Sequence, residues 1–123
     1  EIVGRSKDLI IRGGHNIYPA EIEALALRHT DVARCAAYPV TDERLGERVC
    51  LAIIGQVPPE ALLEHLAMEG LSKFDMPEFF VRVDAFPLTP SGKILKRELI
   101  EMTKRGELSP QAVRYVETKG AKA

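Results

Sequence analysis

The sequence predicts an α+β domain with a small, mainly antiparallel sheet, about three helices on one face of it and an N-terminal β-hairpin. Three observations predict this class. Short β-rich runs alternate with helical patterns, proline and glycine mark the boundaries between them, and no repeat or low-complexity segment interrupts the order. The 123 residues, 46% of them hydrophobic, suffice for one core but not for a core and a roomy enzyme pocket.

The N-terminal segment predicts a hairpin and then a helix. Residues 9–11 form a short apolar strand, the pair Gly13-Gly14 makes the turn, and residues 16–18 return as a second strand. Pro19 opens the helix at a position where its missing N–H costs nothing. Two acidic residues of the first turn are expected to complement the positive end of the helix dipole, Glu21 and Glu23.

The middle of the chain predicts a β-ladder followed by a second helix. Residues 32–40 and 48–54 are rich in β-forming residues and are separated by a polar, turn-like stretch, so we expect them to pair antiparallel. The second helix begins at Pro58-Pro59 and ends near Gly70. Its buried face consists of three leucines, Leu62, Leu63 and Leu66.

The C-terminal part predicts one more strand and one more helix. A helical turn at residues 71–74 precedes a strand over residues 79–83. The predicted order is therefore β-β-α-β-β-α-β-α. Residues 1–106 are predicted to form the domain, and residues 107–123, which contain few apolar residues, are predicted to form a C-terminal tail. The last helix ends at Gly106, and three apolar residues share one face of it, Leu95, Leu99 and Met102.

Charge and composition argue against several classes of function. Lys and Arg number 17 and Asp and Glu 18, and the resulting net charge of −1 argues against nucleic-acid binding. No apolar run approaches the length of a membrane span and no signal-peptide pattern is found, which favours a cytoplasmic location. We expect Cys35 and Cys50 to be buried free thiols. No metal site is assigned, because the histidines lack metal-ligand spacing: His15, His29 and His65.

The loop of residues 87–93 holds the most informative chemistry. Two prolines and a glycine lead to Lys93, and a helix-forming run follows at once. A flexible cation at the end of a stiff turn suits the neutralisation of anionic oxygens in a partner site, although a solvated surface charge is the plain alternative. Gly92-Lys93 is not a Walker-type phosphate loop, because Pro87 stands where glycine is needed and Ile94 where serine or threonine is needed.

Two stretches resemble motifs of the adenylate-forming enzymes, the superfamily of AMP-binding enzymes that includes acyl-CoA synthetases, luciferases and peptide-synthetase adenylation domains. Residues 4–10, together with Gly14 and residues 19–23, resemble one core motif, and residues 87–99 resemble the last. Residues 13–19 resemble the acyl- and aryl-CoA synthetase branch. In that superfamily both motifs belong to a mobile C-terminal domain, so the resemblance implies such a domain here.

The resemblance implies part of an ATP-dependent carboxylate–CoA ligase, which forms an acyl-adenylate and then an acyl-CoA. ATP and Mg²⁺ would be bound mainly by the N-terminal domain of the same protein, and CoA is the co-substrate. The chain starts at Glu1 without a methionine, which suggests a piece of a longer protein, and we expect this piece alone to be inactive. Two alternatives stay open, the C-terminal part of a peptide-synthetase-type adenylation domain and a free-standing, non-catalytic binding or regulatory module. Fatty, carbocyclic and aromatic acids all stay open as substrates.

The resemblance also implies roles for single residues. Lys93 would be catalytic and would contact the nucleotide, because its charge would stabilise the crowded anions of the adenylation step. Arg5 would bind the ribose and phosphate of the nucleotide, with a structural ion pair as the alternative. Lys7 would be the hinge residue, with an exposed lysine beside Asp8 as the alternative.

The glycine turn of the hairpin would serve CoA. Gly13, Gly14 and His15 would line the pantetheine channel, where glycine lets the backbone come close to a narrow ligand, and a simple hairpin turn is compatible with that role. Lys93 also lies in a pattern that resembles the recognition sequence of protein lysine acetyltransferases, so it is a candidate acetylation site. Four basic residues could contact the phosphates of CoA, but we expect them to be solvated surface charges instead: Arg44, Arg48, Lys73 and Arg82.

Overall fold

The computed structural model describes residues 9–42 and 46–116. The observed order of elements agrees with the predicted order through the third helix, and one short strand follows it. The elements are β1 (Ile10–Arg12), β2 (His15–Ile17), α1 (Pro19–Ala26), β3 (Val32–Asp42), β4 (Gly46–Gly55), α2 (Pro59–Met68), a 3₁₀ turn (Lys73–Asp75), β5 (Phe79–Arg82), α3 (Lys96–Lys104) and β6 (Gln111–Ala112).

The sheet is built around β4. This strand pairs antiparallel with β3 over ten residue pairs, from Val32↔Gly55 to Asp42↔Gly46. On its other side it pairs parallel with β5, from Cys50↔Phe79 to Ile53↔Arg82, and it meets β1 at Arg12↔Gly46. The sheet is therefore mixed, with β4–β5 as its parallel pair, and the α+β class is confirmed.

Helices cover both faces of this sheet, so the expectation of helices on one face is wrong. Consecutive residues of β3 and β4 point to opposite faces. One face packs against α1 and α2, and its cluster includes Cys35, Ala37, Leu51, Ile53, Ile22 and Leu66. The other packs against Leu99 of α3, and its cluster includes Ala36, Tyr38, Cys50 and Ala52. Both strands are apolar at odd and even positions, as is typical of strands buried on both faces.

Strand β6 lies in the segment that the sequence analysis treats as a tail. It pairs antiparallel with β5 through Phe79↔Ala112 and Phe80↔Gln111. Beyond it, Val113 and Tyr115 pack against the core cluster that α1 and α2 cover. The sequence gives no signal for β6, because both of its residues are exposed and two residues cannot establish a period.

Two expectations from composition can be compared with the described residues. Cys35 and Cys50 are free and buried, as predicted, and they lie on opposite faces of the sheet. Within residues 9–42 and 46–116, no helix has the length and apolar character needed to cross a membrane.

Candidate functional site

The Lys93 loop, defined as residues 87–95, is closed by its own backbone hydrogen bonds. Leu95 N–H donates to the Pro87 carbonyl at 2.8 Å, and Leu88 forms an isolated antiparallel bridge with Ile94. Helix α3 begins at the next residue. The two ends of the loop are therefore joined by hydrogen bonds, and the loop leads directly into helix α3.

Thr89 organises the inside of this loop. Its N–H donates to the Lys93 carbonyl at 2.8 Å, and its Oγ1 accepts the Lys93 N–H at 3.0 Å. Gly92 supplies the positive φ of 93° that the turn requires, a conformation that glycine adopts without strain. The backbone of Lys93 is thus fixed on both sides, as expected from a stiff turn.

The side chain of Lys93 is free by comparison. Lys93 is exposed, and no ion pair or side-chain hydrogen bond of its ammonium group occurs in the described part of the chain. A fixed backbone with an unpaired terminal charge can place a cation into a separate binding partner. The use of Lys93 in adenylation stays a prediction.

Glu23 connects the Lys93 loop to the rest of the domain. Its carboxylate pairs with Lys96 Nζ at 2.6 Å and accepts the Ala37 N–H at 2.8 Å. The first-turn acid of α1 is Glu21, so the helix-dipole role expected for Glu23 is wrong. Glu23 instead joins α1, the edge of β3 and the first residue of α3.

The second predicted group of residues lies at the tip of the β1–β2 hairpin. Gly13 and Gly14 have φ values of 56° and 87°, which explains why glycine occupies both positions. A Cβ atom at Gly14 would meet no heavy atom within 4 Å, so space beside this residue is open. The tip therefore offers exposed backbone, and its role in a CoA channel stays a prediction.

The residues on either side of the two glycines are held by contacts to carboxylates. His15 Nε2 lies 2.7 Å from Asp75 Oδ1, and the Arg12 guanidinium donates to both carboxylate oxygens of Glu78 at 2.8 and 3.1 Å. Their partners belong to one segment between α2 and β5. The contacts described for the hairpin tip and for the Lys93 loop share no residue, so the two groups occupy different parts of the surface.

A cleft of about 1070 Å³ lies beside the hairpin. Its basic lining residues are Arg12, Arg48, Lys73 and Arg114, and Phe74 exposes 62% of its surface there. Arg82 is directed elsewhere, because it donates to the carbonyls of Gly55 and Val57. Arg48 and Lys73 were considered from the sequence, whereas Arg12 and Arg114 were not, although Arg12 directly precedes the glycine pair.

Three residues with a candidate role in binding or motion lie outside the described ranges. They are Arg5, Lys7 and Arg44; Glu1 and Asp8 lie outside the described ranges as well. For the described ranges, no cluster of three or more histidine, cysteine or acidic residues could hold a metal ion. The structure therefore supplies geometry for the hairpin tip and for Lys93, and it leaves the hinge and the nucleotide arginine as predictions.

Comparison with protein families identifies the fold. Residues 21–93, more than half of the chain, match the family model of the AMP-binding enzyme C-terminal domain. The chain belongs to this family. The family expected from the two sequence motifs is thereby confirmed.

Curated relatives of this AMP-binding C-terminal domain are acyl-CoA ligases. The mitochondrial medium-chain acyl-CoA ligase ACSF2 of Mus musculus is 44% identical over 104 residues, which is 82% of this chain and 17% of the mouse protein. The medium-chain fatty-acid–CoA ligase of Escherichia coli K12 is 38% identical over 101 residues, which is 78% of this chain and 18% of that protein. The chain thus spans less than a fifth of these relatives.

A solved structure agrees with this assignment. The Mycobacterium tuberculosis fatty acyl CoA synthetase superposes with a TM-score of 0.75 at 31% identity, covering 80% of this chain and 20% of that structure. The mixed sheet with three helices is therefore the fold found in part of a much longer synthetase.

Proposed function

We propose that this chain is the mobile C-terminal domain of an ATP-dependent carboxylate–CoA ligase and that its two groups serve successive half-reactions. One observation carries the proposal. A rigid loop with an unpaired lysine and a glycine turn beside a basic cleft lie on separate parts of one small domain. A domain that rotates against a larger partner can present each group in turn.

In the first half-reaction, a carboxylate attacks the α-phosphate of ATP, giving an acyl-adenylate and pyrophosphate. Negative charge then crowds between the two reactants, and a positioned cation stabilises it. Lys93 is suited to this task because its backbone is fixed and its ammonium group is exposed. A lysine suffices here, since a carboxylate nucleophile has no proton to be removed.

In the second half-reaction, the thiol of CoA attacks the acyl carbon and AMP leaves. The Gly13-Gly14 turn and His15 would line the pantetheine channel, since glycine leaves the backbone accessible to a narrow arm. The basic cleft next to the turn supports this role, because CoA carries several phosphate charges. Lys73 and Arg114 line this cleft and are the natural contacts for those phosphates, because Arg12 is already paired with Glu78.

The same proposal assigns the hinge, the nucleotide contact and the bounds of the domain. Lys7 is the hinge between the domains, Arg5 contacts the nucleotide, and residues 1–106 form the family domain with residues 107–123 as its C-terminal extension. A proline at position 7 fixes one backbone torsion, so its selective effect on one half-reaction tests the hinge. The N-terminal domain would bind most of ATP and Mg²⁺ and would contain the carboxylate pocket.

Substrate and location are part of the proposal as well. The names of the two curated relatives support a fatty acid as the carboxylate. We propose a cytoplasmic location. The mouse relative is named as mitochondrial, so the location of the intact protein should be tested with a fluorescent fusion.

Lys93 is also the proposed target of a protein lysine acetyltransferase. Acetylation would remove the charge that adenylation uses, so activity would be controlled at the residue itself. The exposure of Lys93 supports access by a modifying enzyme. Mass spectrometry of the protein from cells without deacetylase activity tests this, and an unmodified Lys93 there would contradict it.

The activity test compares the intact protein with the chain described here. The intact protein is expected to release pyrophosphate from ATP with a fatty acid and to form a thioester with CoA, whereas this chain alone forms neither product. Transfer of the acyl group to a carrier-protein phosphopantetheine instead of CoA would favour a peptide-synthetase-type domain. Failure of the intact protein to release pyrophosphate with any carboxylate would contradict the proposal.

A further inference from the structure

The hairpin that carries the glycine turn is anchored at its base, where Ile10 and Ile17 are fully buried in the core, but its tip has little support from the sheet. Strands β1 and β2 pair with each other over three residues, and β1 meets β4 at one residue pair, Arg12↔Gly46. A two-stranded ribbon of this length is at best marginally stable in water. The conformation of the tip must therefore depend on side-chain contacts.

Ile11 N–H donates to Glu47 Oε1 at 2.9 Å, and the side-chain contacts of the two residues next to the glycines come from one short segment on the other side of the cleft. Asp75 accepts a hydrogen bond from His15 Nε2 at 2.7 Å, and Glu78 receives the bidentate pair from Arg12. His15 and Arg12 are the two residues that flank Gly13-Gly14. Both ends of the turn are thus attached to residues 73–78.

The support on that side is itself ordered. Asp75 is the last residue of the 3₁₀ turn, which Ser72 caps by accepting the Phe74 N–H at 3.1 Å. The ring of Phe74 packs edge-on to His15, with centroids 6.5 Å apart. The side chain of Asp75 is only 18% exposed, compared with 47% for that of His15. A fixed carboxylate therefore holds a more exposed imidazole.

We propose that Asp75, together with Glu78, is a positioning residue that holds the Gly13-Gly14 turn in the conformation that receives the pantetheine arm of CoA. The proposal rests on the proposed function of the turn in thioester formation. Asp75 acts through His15 and does not itself contact the reacting atoms. Holding requires only that Nε2 carries a proton, which is true of the cation and of the Nε2–H form of the neutral ring.

Asp75→Ala removes the acceptor, whereas Asp75→Asn retains an oxygen that can accept from Nε2. The matched control is Glu69→Ala, which breaks an ion pair of the same 2.7 Å length with Arg28, outside the hairpin and the cleft. The first measurement is the ¹⁵N relaxation of Gly13 and Gly14 amides in this chain. We expect faster motion of both amides in Asp75→Ala, a smaller change in Asp75→Asn and no change in Glu69→Ala.

The second measurement uses the intact enzyme and separates the half-reactions. Asp75→Ala should slow thioester formation from preformed acyl-adenylate about ten- to a hundredfold, because a small misplacement of a binding element has effects of this size. Pyrophosphate exchange should stay within twofold of wild type, and Asp75→Asn should recover part of the loss.

Each outcome bears on a definite claim. Unchanged glycine amide motion in Asp75→Ala overturns the positioning role whatever the enzyme does. Unchanged thioester formation in Asp75→Ala, with an active wild type, also overturns it but leaves the proposed function standing. A wild-type enzyme that forms no thioester contradicts the proposed function, and the relaxation measurement still decides whether Asp75 holds the turn.

Discussion

Lys93 and Lys96 lie three residues apart and have opposite surroundings. Lys96 is engaged by Glu23 at 2.6 Å, whereas Lys93 has no charged partner among the described residues. The sequence singles out Lys93 by its place after the proline–glycine loop, and its role in catalysis stays a prediction. The difference matters because only an uncommitted ammonium group can move into the site of another domain without breaking an existing pair.

The two cysteines give a prediction at the residue scale. Burial raises the pKa of the Cys35 thiol and of the Cys50 thiol from 9.0 to about 12. Above pH 9 the unfolded chain loses these protons while the folded chain keeps them, so the two thiols lower stability as pH rises from 9 towards 12. We expect each to cost about 1 kcal/mol by pH 10, from the value of one pKa unit.

Urea unfolding at pH 8 and pH 10 measures this effect. A Cys35→Ala/Cys50→Ala variant should lose less stability between the two pH values than the wild-type chain does. Equal losses in both proteins would show that the thiols do not carry this part of the pH dependence.

At the scale of elements, the start of α3 is fixed by tertiary contact and not by a cap. Its N-cap residue, Leu95, makes no side-chain capping bond. Glu23 supplies the attachment through Lys96, and Arg34 Nη2 adds a long hydrogen bond of 3.4 Å to the Gly92 carbonyl. The loop that carries Lys93 is therefore held between its own hydrogen bonds and the edge strand β3.

Glu23 gives the prediction at this scale. Glu23→Ala leaves the N–H of the fully buried Ala37 without its acceptor, which should cost about 1 to 3 kcal/mol of unfolding free energy. Glu23→Gln keeps an oxygen acceptor and loses only the ion pair, so its cost should be smaller. Urea denaturation of both variants measures the difference, and equal costs would contradict the assigned hydrogen bond.

At the scale of the whole molecule, local signals predicted most of the fold and missed what depends on distant residues. The hairpin, the proline-started helices and the β3–β4 ladder follow from residues near one another in sequence. The face on which α3 packs does not, because β3 and β4 are apolar on both sides. The partners of the hairpin tip were missed for the same reason, since Asp75 lies 60 residues from His15.

The same limit applies to the candidate site: features signalled by neighbouring residues were predicted, and contacts between distant residues were not. The sequence identified Lys93 and the glycine turn from their motifs, and the structure adds that each is held in a defined backbone conformation. Motif comparison could not reveal that Arg12 and Arg114 line the same cleft, because they come from opposite ends of the chain. Two groups on separate parts of one domain would suit the proposed rotation between two half-reactions.

The central claim is that Lys93 acts in adenylation and not in thioester formation, and half-reaction kinetics of Lys93→Ala in the intact enzyme test it most directly. The control is Lys104→Ala, an exposed lysine at the end of α3. Adenylation should fall at least about a hundredfold, since a lost electrostatic donor costs about 3 kcal/mol. Thioester formation from preformed acyl-adenylate should stay within about threefold of wild type. Equal loss in both half-reactions, or no loss in adenylation, would contradict the account.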